Sequence, residues 1–118
     1  MTCVKPQRER ARRIERPPEG EAIEVKVGGR FYYQFRRHGS VGIDGEFDIG
    51  DTTVIQHEDT RFKYTHPENL KPGWTGGDDE RGRWFFRALK AGETKITIRK
   101  MFRGRIDEQF SIRLVVKA

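Results

Sequence analysis

The chain has a single cysteine, Cys3, among its 118 residues, so it forms no disulfide within itself and assembles no cysteine-based zinc site. It contains no apolar run long enough for a membrane-spanning helix, and its N-terminus lacks the apolar core of a signal peptide. A cytoplasmic protein without a membrane partner is therefore expected. The three histidines, His38, His57 and His66, show neither His-x-x-x-His nor His-Glu-x-x-His spacing, so no metal site is expected, and all three read as surface residues in or beside loops.

Apolar residues are also scarce, at 34% against 36% charged. Those present nonetheless fall in short, ordered runs of aromatic and β-branched residues, which a disordered chain does not show. The length fits one domain with a heavily charged surface, expected as a monomer.

The formal charge of +6 is unevenly placed. Residues 1–16 hold six basic side chains against Glu9 and Glu15, whereas the rest of the chain is nearly balanced. "KPQRERARRIERPPEGE" (5–21) is short of apolar anchors, and Pro17-Pro18 stops any helix. Residues 1–20 thus read as a flexible basic arm and 21–118 as a single domain. Such an arm adds sequence-independent attraction to phosphates, but a balanced body lacks the footprint of a dedicated nucleic-acid domain.

From Glu21 onward the helical period gives way to alternation. "AIEVKV" (22–27) puts Ile23, Val25 and Val27 on one face, and Gly28-Gly29 turns the chain into "RFYYQFR" (30–36), so the first two strands form a hairpin or a switch between sheets. Short strands follow at 45–50, 52–56 and 61–66, then clear ones at 82–88, 93–101 and 108–118. The pattern predicts an all-β, Ig-like β-sandwich of seven to eight antiparallel strands.

Reactive constellations are lacking. Asp78, Asp79 and Glu80 are contiguous on an expected loop tip, so nothing separates their environments as a general acid and base require. The glycine-rich stretch "KPGWTGGDDERGRWFF" (71–86) resembles a phosphate cradle only in glycine content. Three acids follow Gly76-Gly77, and the element beyond is a strand, not a helix whose N-terminus meets a phosphate. No cofactor and no enzymatic activity are expected. The aromatics of 31–35 and 84–86, set among arginines, leave a nucleic-acid-binding β domain as an alternative.

The last 46 residues, from "GWTGGDDERGRWFF" to "IRLVVKA", resemble the C-terminal half of the chagasin-type inhibitors of cysteine peptidases. In that family a Gly-x-Gly-Gly loop precedes an aromatic strand, a glycine corner, an Ile-rich strand, a further loop and a closing strand of Val-x-Val type. The resemblance implies an Ig-like sandwich whose three end loops form a wedge entering the cleft of a papain-like peptidase. It places those loops at 36–45, 72–82 and 102–107. Gly76-Gly77 fit the closing pair of the middle motif, whose first glycine is either Trp74 in register or Gly73 with one residue inserted, and Thr75 lies between. The first loop offers Arg37, His38 and Gly39 in place of Asn-Pro-Thr-Thr-Gly. The third offers Phe102 and Arg103, the reverse of the family's Arg-Pro-aromatic order and without its proline. A partner protein, a papain-like peptidase or another retargeted to these loops, is what the resemblance implies.

Overall fold

The computed structural model describes residues 11–38, 41–64 and 79–118. Among these, every regular element is a strand: β1 (Arg12–Ile14), β2 (Ile23–Lys26), β3 (Arg30–His38), β4 (Ile43–Ile49), β5 (Ile55–Tyr64), β6 (Asp79–Ala88), β7 (Gly92–Phe102) and β8 (Arg105–Lys117). One layer runs β2-β8-β7-β4 and the other β1-β3-β6-β5, joined through the single register pair His38–Ile43. The alternation that predicted a sandwich sorts the chain as expected, with Phe110, Ile112, Leu114 and Val116 of β8 all buried.

The layers meet through rings. Tyr33 of β3 reaches Phe110 of β8 with centroids 6.3 Å apart, while Phe47 of β4 packs on Trp84 and Phe86 of β6 at 4.9 and 5.2 Å. Such aromatic pairs add about 0.5–1.5 kcal/mol each beyond the area they bury. His57, expected at the surface, instead tilts against Phe47 at 5.0 Å and Phe86 at 5.7 Å, with Nε2 2.8 Å from the Thr60 hydroxyl. Its strand is longer than the sequence pattern indicates. The segments read as 52–56 and 61–66 contribute to one strand, β5, carried through a bulge between His57 and Asp59 that shifts the alternation by one.

Two pairings are parallel, and both involve the N-terminal segment. β1 lies beside β3, and β2 beside β8 in the other layer. Of the two readings of Gly28-Gly29, the switch between sheets is the one formed: Gly28, at φ 82°, donates to Ala88 O at 2.8 Å, and Ala88 N donates to Gly29 O at 3.0 Å.

β1 falls inside the stretch expected to be a flexible arm, which corrects that expectation for residues 12–14. Its anchor is Ile14, only 3% exposed in the core, aided by Arg12 Nη1 donating to Glu24 O at 2.8 Å. Truncating this one side chain, Ile14→Ala, is expected to cost about 2–5 kcal/mol in urea unfolding. A loss below about 0.5 kcal/mol, the range of surface substitutions, would show that β1 does not dock.

The β4–β5 corner is held by polar contacts. Asp51 N donates to Thr94 Oγ1 at 2.8 Å, and the Thr53 amide and hydroxyl both donate to Asp51 Oδ1. The Thr53 hydroxyl, then its amide, hold the Asp51 carboxyl below its ordinary 3.8. A depressed folded value means that the stabilisation is present above the unfolded value and disappears as pH falls through the folded one. Thr53→Val should therefore lower the urea midpoint near neutral pH and cost progressively less under acid conditions; a pH-independent difference would contradict this account.

Candidate protein-binding site

The register of the strands brings three chain connections to one end of the sandwich. At that edge Asp79 of β6 pairs with His38 of β3, His38 with Ile43 of β4, and Ile43 with Phe102 of β7, which pairs with Arg105 of β8. Tyr64, the last residue of β5, pairs with Glu80 beside it. The connections 39–42 and 103–104 therefore emerge together, and Tyr64 and Asp79, which flank 65–78, lie at the same edge.

Strands extend further into these connections than expected. The third one, read as 102–107, is a two-residue hairpin turn: Arg103 and Gly104 have φ of 51° and 76°, so Arg105, Ile106 and Asp107 belong to β8. Positive φ at both central residues matches the twist of the flanking strands, but an L-residue there costs about 1–2 kcal/mol. The strained residue is tied down, since Arg103 N donates to Gly42 O at 2.7 Å. Gly42 itself has φ of 81° and stands where a Cβ would be 3.2 Å from the Arg103 backbone. These contacts clamp the first and third connections together.

Likewise Asp79 and Glu80, read as part of an acidic loop tip, are β6 residues. Asp79 accepts from Arg36 Nε at 2.9 Å, and the same guanidinium places Nη2 3.4 Å from His38 Nδ1. Arg37, on the opposite face, lies over the Phe62 ring at 4.9 Å. The Arg103 guanidinium covers the Phe102 ring at 5.2 Å. Arg37, His38, Phe102 and Arg103 are thus brought to this end; Gly39, Gly73, Trp74, Thr75, Gly76 and Gly77 lie outside the described residues.

The sequence reading missed three side chains here. Val41, Phe62 and Ile106 are large apolar residues at this end that remain exposed, as does Phe102 at 42%. Scattered exposed apolar residues are ordinary; these four share the end that also carries the strained Arg103 turn. Their signal is positional: each lies on a strand end or turn, which becomes apparent only once the register is known.

A crevice of about 560 Å³ opens alongside, floored by Tyr33, Phe35, Trp84 and Ile98 and rimmed by Asp44 and Lys100. Burial raises the Tyr33 hydroxyl above its ordinary 10.0, with Glu108 adding and Arg16 opposing, so it stays a neutral phenol. Among the described residues, no three of His, Cys, Asp and Glu gather as a metal cage would need.

The floor depends on two glycines. Phe35 stacks on Trp84 with centroids 4.0 Å apart, and a Cβ added at Gly82 would overlap the Phe35 ring, while one at Gly45 would come within 2.9 Å of it. Gly82→Ala is expected to destabilise by about 1–3 kcal/mol through overpacking, and most of that penalty should vanish in a Phe35→Ala background. An equal penalty in both backgrounds, measured by chemical denaturation, would place the cause in the backbone instead of the ring.

No protein-family model matches the sequence, and no curated protein does. Solved structures do. The cysteine protease inhibitor EhICP2 from Entamoeba histolytica superposes with a TM-score of 0.64 at 16% identity, over 81% of this chain and 86% of that one. Amebosin superposes with a TM-score of 0.58 at 13% identity, over 92% of this chain and 99% of that one. The chain thus shares its Ig-like sandwich fold with these structures, the fold that its resemblance to the chagasin type implied.

Proposed function

We propose that this chain inhibits papain-like cysteine peptidases, inserting the end of the sandwich that carries the connections 39–42, 65–78 and 103–104. The observation that carries the reading is that the strand ends bearing those connections lie at one edge, in a fold shared with a cysteine protease inhibitor. A wedge of this kind works by shape: it fills a cleft, excludes water and presents no peptide bond for attack. Such a contact concentrates its energy in a few buried anchors.

In this reading Trp74 is the central anchor, since an indole offers large apolar area with one polar handle. Gly73, Gly76 and Gly77, lacking a Cβ, would let the backbone around it approach the cleft closely, with Thr75 completing the contact. Arg37, His38 and Gly39 of the first connection and Phe102 with Arg103 of the third would add contacts beside it. Phe102 supplies an exposed ring that loses water on docking, and the clamp from Arg103 to Gly42 keeps these two connections from moving apart.

A second reading shares the surface and changes the partner. The connection 39–42 lacks Asn-Pro-Thr-Thr-Gly, and Phe102-Arg103 reverses the family's third motif; both favour an interaction module directed at another protein. Titration of papain separates the two. Inhibition at micromolar chain or below is expected, weakened about 30-fold or more by Trp74→Ala. Absence of inhibition at micromolar protein, or an inhibition constant unchanged by Trp74→Ala, defeats the peptidase reading.

A further inference from the structure

The two outer faces of the sandwich differ in charge in a way that the near-neutral net charge of the body conceals. On the β2-β8-β7-β4 layer most bases have an acid beside them: Arg99 bonds Glu46 and Asp48 at 3.4 and 2.6 Å, Arg113 sits 3.3 Å from Glu93, and Lys117 3.1 Å from Glu24, while Lys95 and Lys26 lie opposite Arg113 and Lys117. On the β3-β6-β5 layer the outward positions form cationic rows across the strands. Arg36, Arg81 and Lys63 are direct cross-strand neighbours, Arg83 stands beside Arg61, and Arg30 beside Arg87.

Among the described residues, Glu58, Asp59 and Asp79 alone offset these seven bases on that face, by pairing with Arg30 and Arg87, with Arg61 and with Arg36. Among the described residues, Arg81 and Lys63 are left with no acidic partner. Like charges directly opposite on neighbouring strands weaken a sheet, so the fold gains nothing from this arrangement. A partner of opposite charge would turn the repulsion into binding energy.

Rings set between the rows narrow the kind of partner. Tyr32 and Phe85 pair on this outer face with centroids 5.4 Å apart. Arg30 and Arg61 lie over Phe85 at 4.4 and 5.4 Å, and Arg83 lies over Tyr32 at 5.0 Å. A guanidinium is flat and polarisable, so arginines held over rings offer groups on which a base can stack and N–H donors for phosphate. A purely acidic peptide would use the charges and leave the planes unused.

We infer that the outer face of β3, β6 and β5 binds single-stranded nucleic acid, with the row Arg36, Arg81 and Lys63 on the phosphates and the arginine-covered Tyr32–Phe85 pair as the stacking platform. This surface is separate from the peptidase reading and stands or falls without it. It also relocates the attraction to phosphate from the N-terminal arm to the body of the domain.

Fluorescence anisotropy of the full chain with a labelled oligouridylate of about 20 nucleotides tests the assignment, since such sheet platforms cover several nucleotides each. Binding should weaken steeply as salt rises from about 50 to 200 mM, and Arg81→Glu/Arg83→Glu should lower affinity by about tenfold or more while reducing the log–log salt slope by about 1.4. The paired change Lys95→Glu/Arg113→Glu on the other layer should leave affinity within about threefold, since those residues would touch no phosphate. Misfolding is excluded independently, because Arg81→Glu relieves the row of like charges and should leave the thermal midpoint unchanged or higher. No binding at the lower salt, equal affinity for polyglutamate, or equal losses from the two double variants would each overturn the assignment, the second pointing to an acidic protein partner instead.

Discussion

The stack of Phe35 on Trp84 governs the end of the molecule where the connections gather. Trp84 already touches Tyr33 and Phe47, so it joins both layers, and Phe35 extends that ring column toward the open edge. A centroid separation of 4.0 Å leaves no room for side chains beneath, which explains the absence of Cβ atoms at Gly45 and Gly82 on the two strands that cover the rings. Glycine within a strand ordinarily weakens it, and here the ring restores the missing contact. The rings hold the layers at a fixed spacing just below the three connections.

That spacing has a consequence for the two shorter connections. β3 and β4 belong to different layers and pair in register only at His38 and Ile43, so the turn between them must bridge the sandwich. The bond from Arg103 to Gly42 fixes where that bridge lies against the β7–β8 turn. Strain at Arg103 and the absence of a side chain at Gly42 are therefore two sides of one contact. An edge built this way is organised within the free chain, which in the proposed complex would lower the entropic cost of association.

Much of the fold was legible because period-two alternation is a direct image of burial. Ile96 and Ile98 of β7, like the inward row of β8, announce their face by position alone. β1 was not legible, since one isoleucine in a run of arginines carries no periodic signal and its partner strand lies in parallel 19 residues away in register. The bulge at His57 erased the alternation that would have joined two short segments into β5. Of the residues expected at the candidate site, Arg37, His38, Phe102 and Arg103 lie at this end, where the order of the motifs puts them. Val41, Phe62 and Ile106 became visible only when register placed them at one edge.

Charge follows the same logic. Summed along the chain, bases and acids beyond residue 16 nearly cancel, a balance that by itself speaks against a nucleic-acid surface. A sheet, however, sorts alternate residues to opposite faces, and neighbouring strands then align the sorted residues in rows. Arg36, Arg81 and Lys63 are far apart in sequence and adjacent in space, so no window along the chain contains their cluster. A local potential depends on that adjacency and not on the total, because at physiological ionic strength a charge is felt over roughly 8 Å, about two strand spacings. A chain with almost no net charge in its folded body can thus carry one strongly basic face, provided its acids are assigned to the other.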